Sequence, residues 1–218
     1  MRPEKLPFIV GLGGTTRPGS STELALRFTL KVAGELGAET KMFGGHDLLM
    51  PIYDPYMAER TENAAGLIEA LRRCDGVVIA SPGYHGSVSG LVKNALDYTE
   101  DMRNDLEPYF EGRSVGCIAC ALGSQATGTT LVTLRSIVHA LRGWPTPFGV
   151  GINTAKPIFQ PDGTVSEPEV EKQLRILAGQ VVNFAYAMRG TAAAGRGCPP
   201  VDSRLRFEVS LTGRRIAG

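Results

Sequence analysis

Residues 8–36 read FIVGLGGTTRPGSSTELALRFTLKVAGEL. The first six are apolar or glycine, then come nine polar or turn-forming residues, then a segment with Leu24, Phe28 and Val32 at helical spacing and Leu36 beside them. That order predicts a buried strand, a tight loop and an amphipathic helix with its apolar face along those residues, closed by Gly37. The loop Gly14-Thr-Thr-Arg-Pro-Gly19-Ser-Ser has the glycine spacing of an ATP-cradling loop, but Ser20 stands where the lysine for the distal phosphates belongs. A dinucleotide fingerprint fails too: Gly11 and Gly13 have its first spacing, and Thr16 takes the third glycine's place.

What remains is a cup of hydroxyls, Thr15, Thr16, Ser20, Ser21 and Thr22, with Arg17 at its rim, at a predicted helix N-terminus. Free N–H groups and the helix dipole there favour an anion. Hydroxyls without a lysine suit one terminal phosphate monoester, as on a mononucleotide. The alternative is a capped turn, in which Ser20 or Ser21 caps the helix and Glu23 completes the box.

The rest of the chain repeats the strand-then-helix pattern. Strands are expected at 39–45, 76–82, 114–123 and 147–152, and helices at 64–74, 88–102, 128–141 and 167–188, with Leu131, Leu134, Val138 and Leu141 on one stripe. Such alternation implies right-handed crossovers and a doubly wound α/β fold, a five-stranded parallel sheet in the flavodoxin-like order with helices on both faces. Ligands of such sheets gather beyond the carboxyl ends of the strands, at the point where strand order reverses.

Two further loops fall at strand ends. In SPGYHGSVSGLVKNALDY (81–98), Pro82 fixes the chain, Gly83 and Gly86 admit a flat ligand, Tyr84 offers a ring face, and backbone N–H groups near Gly86 and Ser87 face outward. His85 is either a proton donor or simply an exposed loop side chain. ALGSQATGTT (121–130) adds Gly123, Ser124 and Gln125. Together the loops describe a slot for a planar heterocycle whose phosphate tail lies in the first loop; taken singly, each is also an ordinary β-to-α turn.

With 218 residues, 43% hydrophobic and 21% charged, the chain suits one globular domain with a large core. A net charge of +1 gives no nucleic-acid footprint and no polybasic membrane patch, and weighs against a charge-steered electron shuttle. Neither a signal peptide nor a membrane span is legible, so a cytoplasmic setting is expected. Cys117 and Cys120 form a C-x-x-C, but a strand puts residues three apart on opposite faces, so buried thiols are expected and no metal site. His46, His85 and His139 are scattered, with His139 expected in core or interface, and no nucleophile–base constellation emerges.

The domain is expected to cover 1–190. Residues 191–218 read as a glycine- and proline-broken tail in which LRFEVSL (205–211) alternates as a half-buried strand would, pairing with this sheet or a neighbouring subunit, or else as a loose end.

The segment GGTTRPGSS resembles the G-S-x-R-x-x-S phosphate loop of the NAD(P)H-dependent FMN reductase family, and 81–98 resembles that family's T-P-E-Y-N-x-S-x-P-G-x-L-K-N-A-x-D-W segment. The similarity spans roughly the first four-fifths of the chain. It implies an oxidoreductase that uses FMN with NADPH or NADH and transfers hydride from nicotinamide to flavin N5, the flavin itself being the platform for chemistry. Thr15, Arg17, Ser20 and Thr22 would hold the phosphate. Pro82, Tyr84, His85, Gly86 and Ser87 would line the isoalloxazine, and Gly123 and Ser124 would meet its pyrimidine edge. The chain departs from the pattern at Gly83, usually acidic, at His85, usually asparagine, and at Thr15. Reduced flavin would then reach a partner monooxygenase; the rival readings are a quinone, azo or metal-ion reductase with tightly held FMN, and a non-enzymatic electron-transfer module. The family implies a homodimer or homotetramer, which apolar stripes on 88–98 and 129–141 favour, with Lys93, Asn94 and Asp97 as interface candidates. Arg17 and Arg103 are the candidates for a 2′-phosphate.

Overall fold

A computed structural model describes residues 6–57, 59–160 and 162–193. β1 (Phe8–Gly13) is buried along its whole length and is flanked by β2 (Glu39–Gly44) and β3 (Gly76–Tyr84), both parallel to it. β3 pairs in turn with β5 (Ser114–Ala121), also fully buried. Next to β5 lie two short parallel pieces, β6 (Trp144–Pro145) and β7 (Val150–Asn153), which share one column of the sheet. The seventh strand, β4 (Ser87–Val88), turns back antiparallel onto the end of β3. The sheet therefore holds seven strands rather than five, in five columns ordered β2-β1-β3-β5-β6/β7.

α1 (Ser21–Glu35) and α5 (Pro168–Ala193) cover one face; α2 (Glu62–Arg73), α3 (Gly90–Asp97) and α4 (Ser124–Ala140) cover the other. Two apolar cores result. Val10, Leu12, Leu67, Val77, Ile79 and Leu134 belong to one; Ile9, Leu26, Val78, Ile118, Leu177 and Val181 belong to the other. Cys117 and Cys120 fall into different cores, as strand alternation requires.

Several elements differ from the expected bounds. The buried stripe of α1 is Thr22, Ala25, Leu26, Thr29, Leu30, Val32 and Ala33, while Leu24 and Phe28 are half-buried and Leu36 is exposed. Leu26 and Leu30 pack over Gly11 of β1, and α1 also packs on α5, where the Arg175 guanidinium lies 5.3 Å from the centre of the Phe28 ring. The helix expected over 88–102 is three pieces: β4, α3 capped by Ser89, whose side chain accepts the Val92 N–H at 3.2 Å, and a 3₁₀ turn over Tyr98–Met102. The return strand arises from a two-residue turn with His85 at φ 53° and Gly86 at φ 80°, the positive pair of a type I′ hairpin. Buried Ser81 locks that hairpin by accepting the Ser89 N–H at 3.0 Å. The α4 stripe falls where expected, with Leu134 and Val138 buried and Leu131 and Leu141 half-buried. His139 is exposed in the last turn of α4, not in a core.

A connection over residues 49–61 is tied to α3 by side chains. Asn94 accepts the Tyr53 N–H at 2.9 Å and donates to the Pro51 and Met50 carbonyls. Arg60 makes two 2.8 Å contacts to Asp101, which also receives the Tyr53 hydroxyl. Asn94 is thus buried inside the chain and is no interface candidate, while exposed Lys93 and Asp97 pair with each other. Helix α5 continues through 191–193, past the boundary expected at 190. The strand expected at 205–211 lies outside the described residues.

Candidate active site

The reversal of strand order falls between β1 and β3, and the loops after β1, β3 and β5 converge there. They enclose a cleft of about 620 Å³, within the range of small-molecule and cofactor sites. Its lining takes Thr15, Thr16, Arg17 and Ser20 to Thr22 from the first loop, Pro82 to Gly86 from the second, and Cys120 to Leu122 and Ala126 from the third, with Thr154 after β7. A second cleft of about 460 Å³ shares Gly86, Leu122 and Ala126 with it and adds Gly123, Ser124, Gln125 and Thr129. All the residues expected at the site therefore lie on these two adjoining clefts except Ser87, which is exposed on the hairpin.

The first loop is shaped by its own hydroxyls. Thr15 Oγ1 accepts the Arg17 N–H at 3.2 Å, and Gly14 N–H reaches back to the Ala80 carbonyl at 3.1 Å. Gly13 must be glycine, because a Cβ there would stand 1.9 Å from that carbonyl oxygen. Ser20 is buried and caps α1, its Oγ accepting the Glu23 N–H at 3.3 Å. The capped turn is therefore real, but it leaves the Ser20 hydroxyl proton available, since a hydroxyl accepts through a lone pair and still carries a donor. Thr22 is also buried, hydrogen-bonded to the Cys120 thiol, so its hydroxyl is less available than Ser20's. The Arg17 side chain is exposed at the rim and makes no ion pair among the described residues.

In the second loop Gly83 lines the cleft and also serves packing: a Cβ there would meet Thr130 Oγ1 at 2.7 Å and Ala121 Cβ at 3.0 Å, so its smallness seats β3 against α4 and β5. Tyr84 and His85 are exposed on the hairpin beside the cleft. In the third loop the Gly123 N–H is already taken by Asn153 Oδ1 at 3.2 Å, which also accepts from Ala155 at 3.0 Å. Asn153, Thr154, Leu122 and Ala126 were not foreseen; the rule that ligands gather at strand carboxyl ends was the signal for the first two. Arg103 lines neither cleft and pairs with Glu100 at 3.2 Å.

The cleft holds little acid–base chemistry of its own. Burial pushes the Cys120 thiol up to about 12, against a smaller lowering by its bond with Thr22, so it stays a neutral wall. No cluster of metal-ligating side chains occurs among the described residues. Hydroxyls and free N–H groups at one end and backbone-lined, apolar surfaces at the other fit an anionic tail joined to a flat ring.

A FMN-dependent NADPH-azoreductase of Staphylococcus aureus (strain USA300) is 28% identical over 162 residues, 66% of this chain and 82% of that protein. Among solved structures, the flavoenzyme NAD(P)H:(acceptor) oxidoreductase FerB from Paracoccus denitrificans superposes with a TM-score of 0.71 at 19% identity, over 84% of this chain and 99% of that one. RosB with bound 8-demethyl-8-formylriboflavin-5′-phosphate gives 0.69 at 18% identity, over 96% and 94%. These two likenesses carry the fold. Residues 7–156 match the family described as NADPH-dependent FMN reductase, with both loops read above inside the match, and the chain belongs to that family of FMN- and NAD(P)H-using oxidoreductases.

Proposed function

We propose that the two adjoining clefts bind FMN, with its phosphate in loop 14–22 and its ring between loops 82–87 and 121–126, and that the chain reduces it with NADPH or NADH. The observation that carries this reading is the convergence of a hydroxyl-rich helix N-terminus and two glycine-bearing loops on one cleft at the switch point. Held there, FMN would supply the redox chemistry, as the acceptor of a nicotinamide's hydride.

The chain's own part is to bind and orient. Ser20 donates its hydroxyl to the phosphate while still capping α1, and Thr15, Thr16 and Ser21 surround it, with Arg17 at the rim. A few charge-assisted hydrogen bonds of about 1.5–3 kcal/mol each suffice for a micromolar ligand, which needs about 8 kcal/mol. Pro82 and the hairpin at His85–Gly86 fix one wall of the ring site, and Leu122 and Ala126 make the other. Holding two flat rings in register is worth on the order of 7–11 kcal/mol of barrier in well-oriented cases. Tyr84 and His85 act as neighbours of the ring and not as obligatory acids.

Reduced flavin then leaves for a flavin-dependent monooxygenase. A second reading, reduction of an azo compound or quinone at the site, draws on the 28% identical relative whose name is FMN-dependent NADPH-azoreductase. The test is oxidation of NADPH and NADH by the purified chain, alone, with added FMN, and with FMN plus menadione or an azo dye. Consumption that needs only added FMN supports flavin reduction. Consumption that appears only with the dye or quinone supports the second reading, and no consumption under any condition refutes both.

The proposal includes self-association as a homodimer or homotetramer in a cytoplasmic setting. Tyr84, Leu122 and Val132 leave apolar surface exposed by 55%, 76% and 65% along the cleft rim and α4, and Ile52 and Tyr56 add more. No described helix is long and apolar enough to cross a membrane. A monomer by light scattering at micromolar concentration refutes the assembly.

A further inference from the structure

The phosphate loop already holds an anion. Glu23 Oε2 accepts the Gly19 N–H at 2.9 Å, and Glu23 Oε1 lies 2.8 Å from Arg27. The Glu23 side chain is only 17% exposed, whereas Arg27, its counter-charge, is 62% exposed. A carboxylate in the first turn of α1 is favoured by the helix dipole and by the N–H it receives. It therefore partly neutralises the positive end that an incoming phosphate would use, and it occupies a backbone donor of the same loop. Arg27 offsets this weakly, because solvent and salt screen an exposed cation.

We infer that Glu23 keeps FMN loosely held, so that FMN enters and leaves as an exchanging substrate and is not a resident prosthetic group. The inference rests on the reading that loop 14–22 takes the flavin phosphate. Gly19 and Glu23 flank Ser20–Thr22 without lining the cleft, so a phosphate near −2 in that loop binds in the field of a like charge, which raises its dissociation constant. Riboflavin, which lacks the phosphate, is indifferent to Glu23. A carboxylate that served only to cap the helix would leave the difference between the two flavins untouched.

The experiment titrates FMN and riboflavin into the full chain by flavin fluorescence, for the wild type and for Glu23→Gln. Glutamine keeps an amide oxygen for Gly19 N–H and loses the charge. FMN is expected to bind about tenfold more tightly to Glu23→Gln at low salt, with a smaller gain at high salt, and riboflavin affinity is expected to stay within about twofold. Arg27→Ala, which leaves Glu23 in place without its counter-charge, is expected to weaken FMN a few-fold and keeps the test available if Glu23→Gln folds poorly. FMN affinity that is unchanged or weaker in folded Glu23→Gln overturns the inference, as does Arg27→Ala that binds FMN as the wild type does. If the wild type binds FMN no better than riboflavin, the phosphate cup itself fails and the role of Glu23 falls with it. That outcome is distinguishable, because it shows in the wild type before any variant is compared.

Discussion

The proposed site gives Ser20 two tasks for one hydroxyl, and three substitutions separate them. Its Oγ accepts the Glu23 N–H at 3.3 Å, which is the cap of α1, and its proton remains for a phosphate oxygen. Ser20→Ala removes both. Loss of the cap costs about 0.5–2 kcal/mol, and for a chain of 218 residues each kcal/mol lowers Tm by about 2–4 °C. Loss of a charge-assisted hydrogen bond to phosphate costs about 1.5–3 kcal/mol, which is about a 10- to 150-fold rise in the FMN dissociation constant. Ser20→Gly costs only a few tenths of a kcal/mol as a cap, so it loses the same binding with nearly full stability. Ser20→Asp caps as well as serine does but offers the phosphate only acceptors and a like charge, so FMN binding falls furthest while the fold is kept. The assay pairs thermal unfolding of the flavin-free chain with fluorescence titration of FMN and of riboflavin. Riboflavin affinity stays at the wild-type value in all three. An FMN dissociation constant near wild type in both Ser20→Gly and Ser20→Asp would refute the reasoning, leaving loop 14–22 as a capped turn and nothing more.

The remaining predictions concern the ring side and the frame. His85→Asn places at φ 53° the residue that type I′ turns favour, so stability rises by up to about 1 kcal/mol in denaturant unfolding, and NAD(P)H oxidation stays within a few-fold. A loss of about a hundredfold or more would instead make His85 a proton donor. Asn153→Ala frees the Gly123 and Ala155 N–H groups and loosens the third loop, weakening FMN and riboflavin alike by about 1–2 kcal/mol. If only FMN weakens, the assignment of that loop to the ring is wrong. Hydrogen bonding to Arg60, ahead of its charge, holds the Asp101 carboxyl below the usual carboxylate range despite burial. A depressed folded pKa stabilises above the unfolded value, about 3.9, and the contribution fades as pH falls through the folded one. The stability difference between wild type and Asp101→Asn is therefore constant from about pH 5 to 8 and narrows below about pH 4. Urea midpoints across that range check it, and a difference that widens on acidification counts against it.

The central strands were legible because burial on both faces leaves no place for charge: Phe8–Gly13 and Ser114–Ala121 are buried throughout, and their sequences are apolar, small or hydroxyl-bearing. The edge column was less so. Pro145 and Pro147 interrupt its ladder, and a strand paired on one side has no second buried face to keep its pattern clean. The stripe on α1 was legible only at Val32: the segment is apolar on more than one face, and the buried one runs through Ala25, Leu26, Thr29, Leu30 and Ala33 and not through Leu24 and Phe28. The break before α3 was hidden because the hairpin signal is usually Asn-Gly, and here the first position is histidine.

The same division runs through the site. Loops 14–22 and 81–87 were readable because each holds its glycines, hydroxyls and proline in one local run, and conformation there follows from the run itself. Asn153 and Thr154 come from a different column of the sheet, and only the pairing of β7 with β5 brings Asn153 to the Gly123 N–H. Gly83 adds a distant cause to a local feature: it lines the cleft, and α4 also places Thr130 Oγ1 where its Cβ would go. The turn at 83 is held by packing, so a larger side chain there requires Thr130 to shift, whereas residues 20 and 23 face the loop and can change charge with the frame intact. In the proposed site, affinity for the flavin phosphate is therefore open to tuning at residues 20 and 23, while the ring wall rests on residues that the core holds.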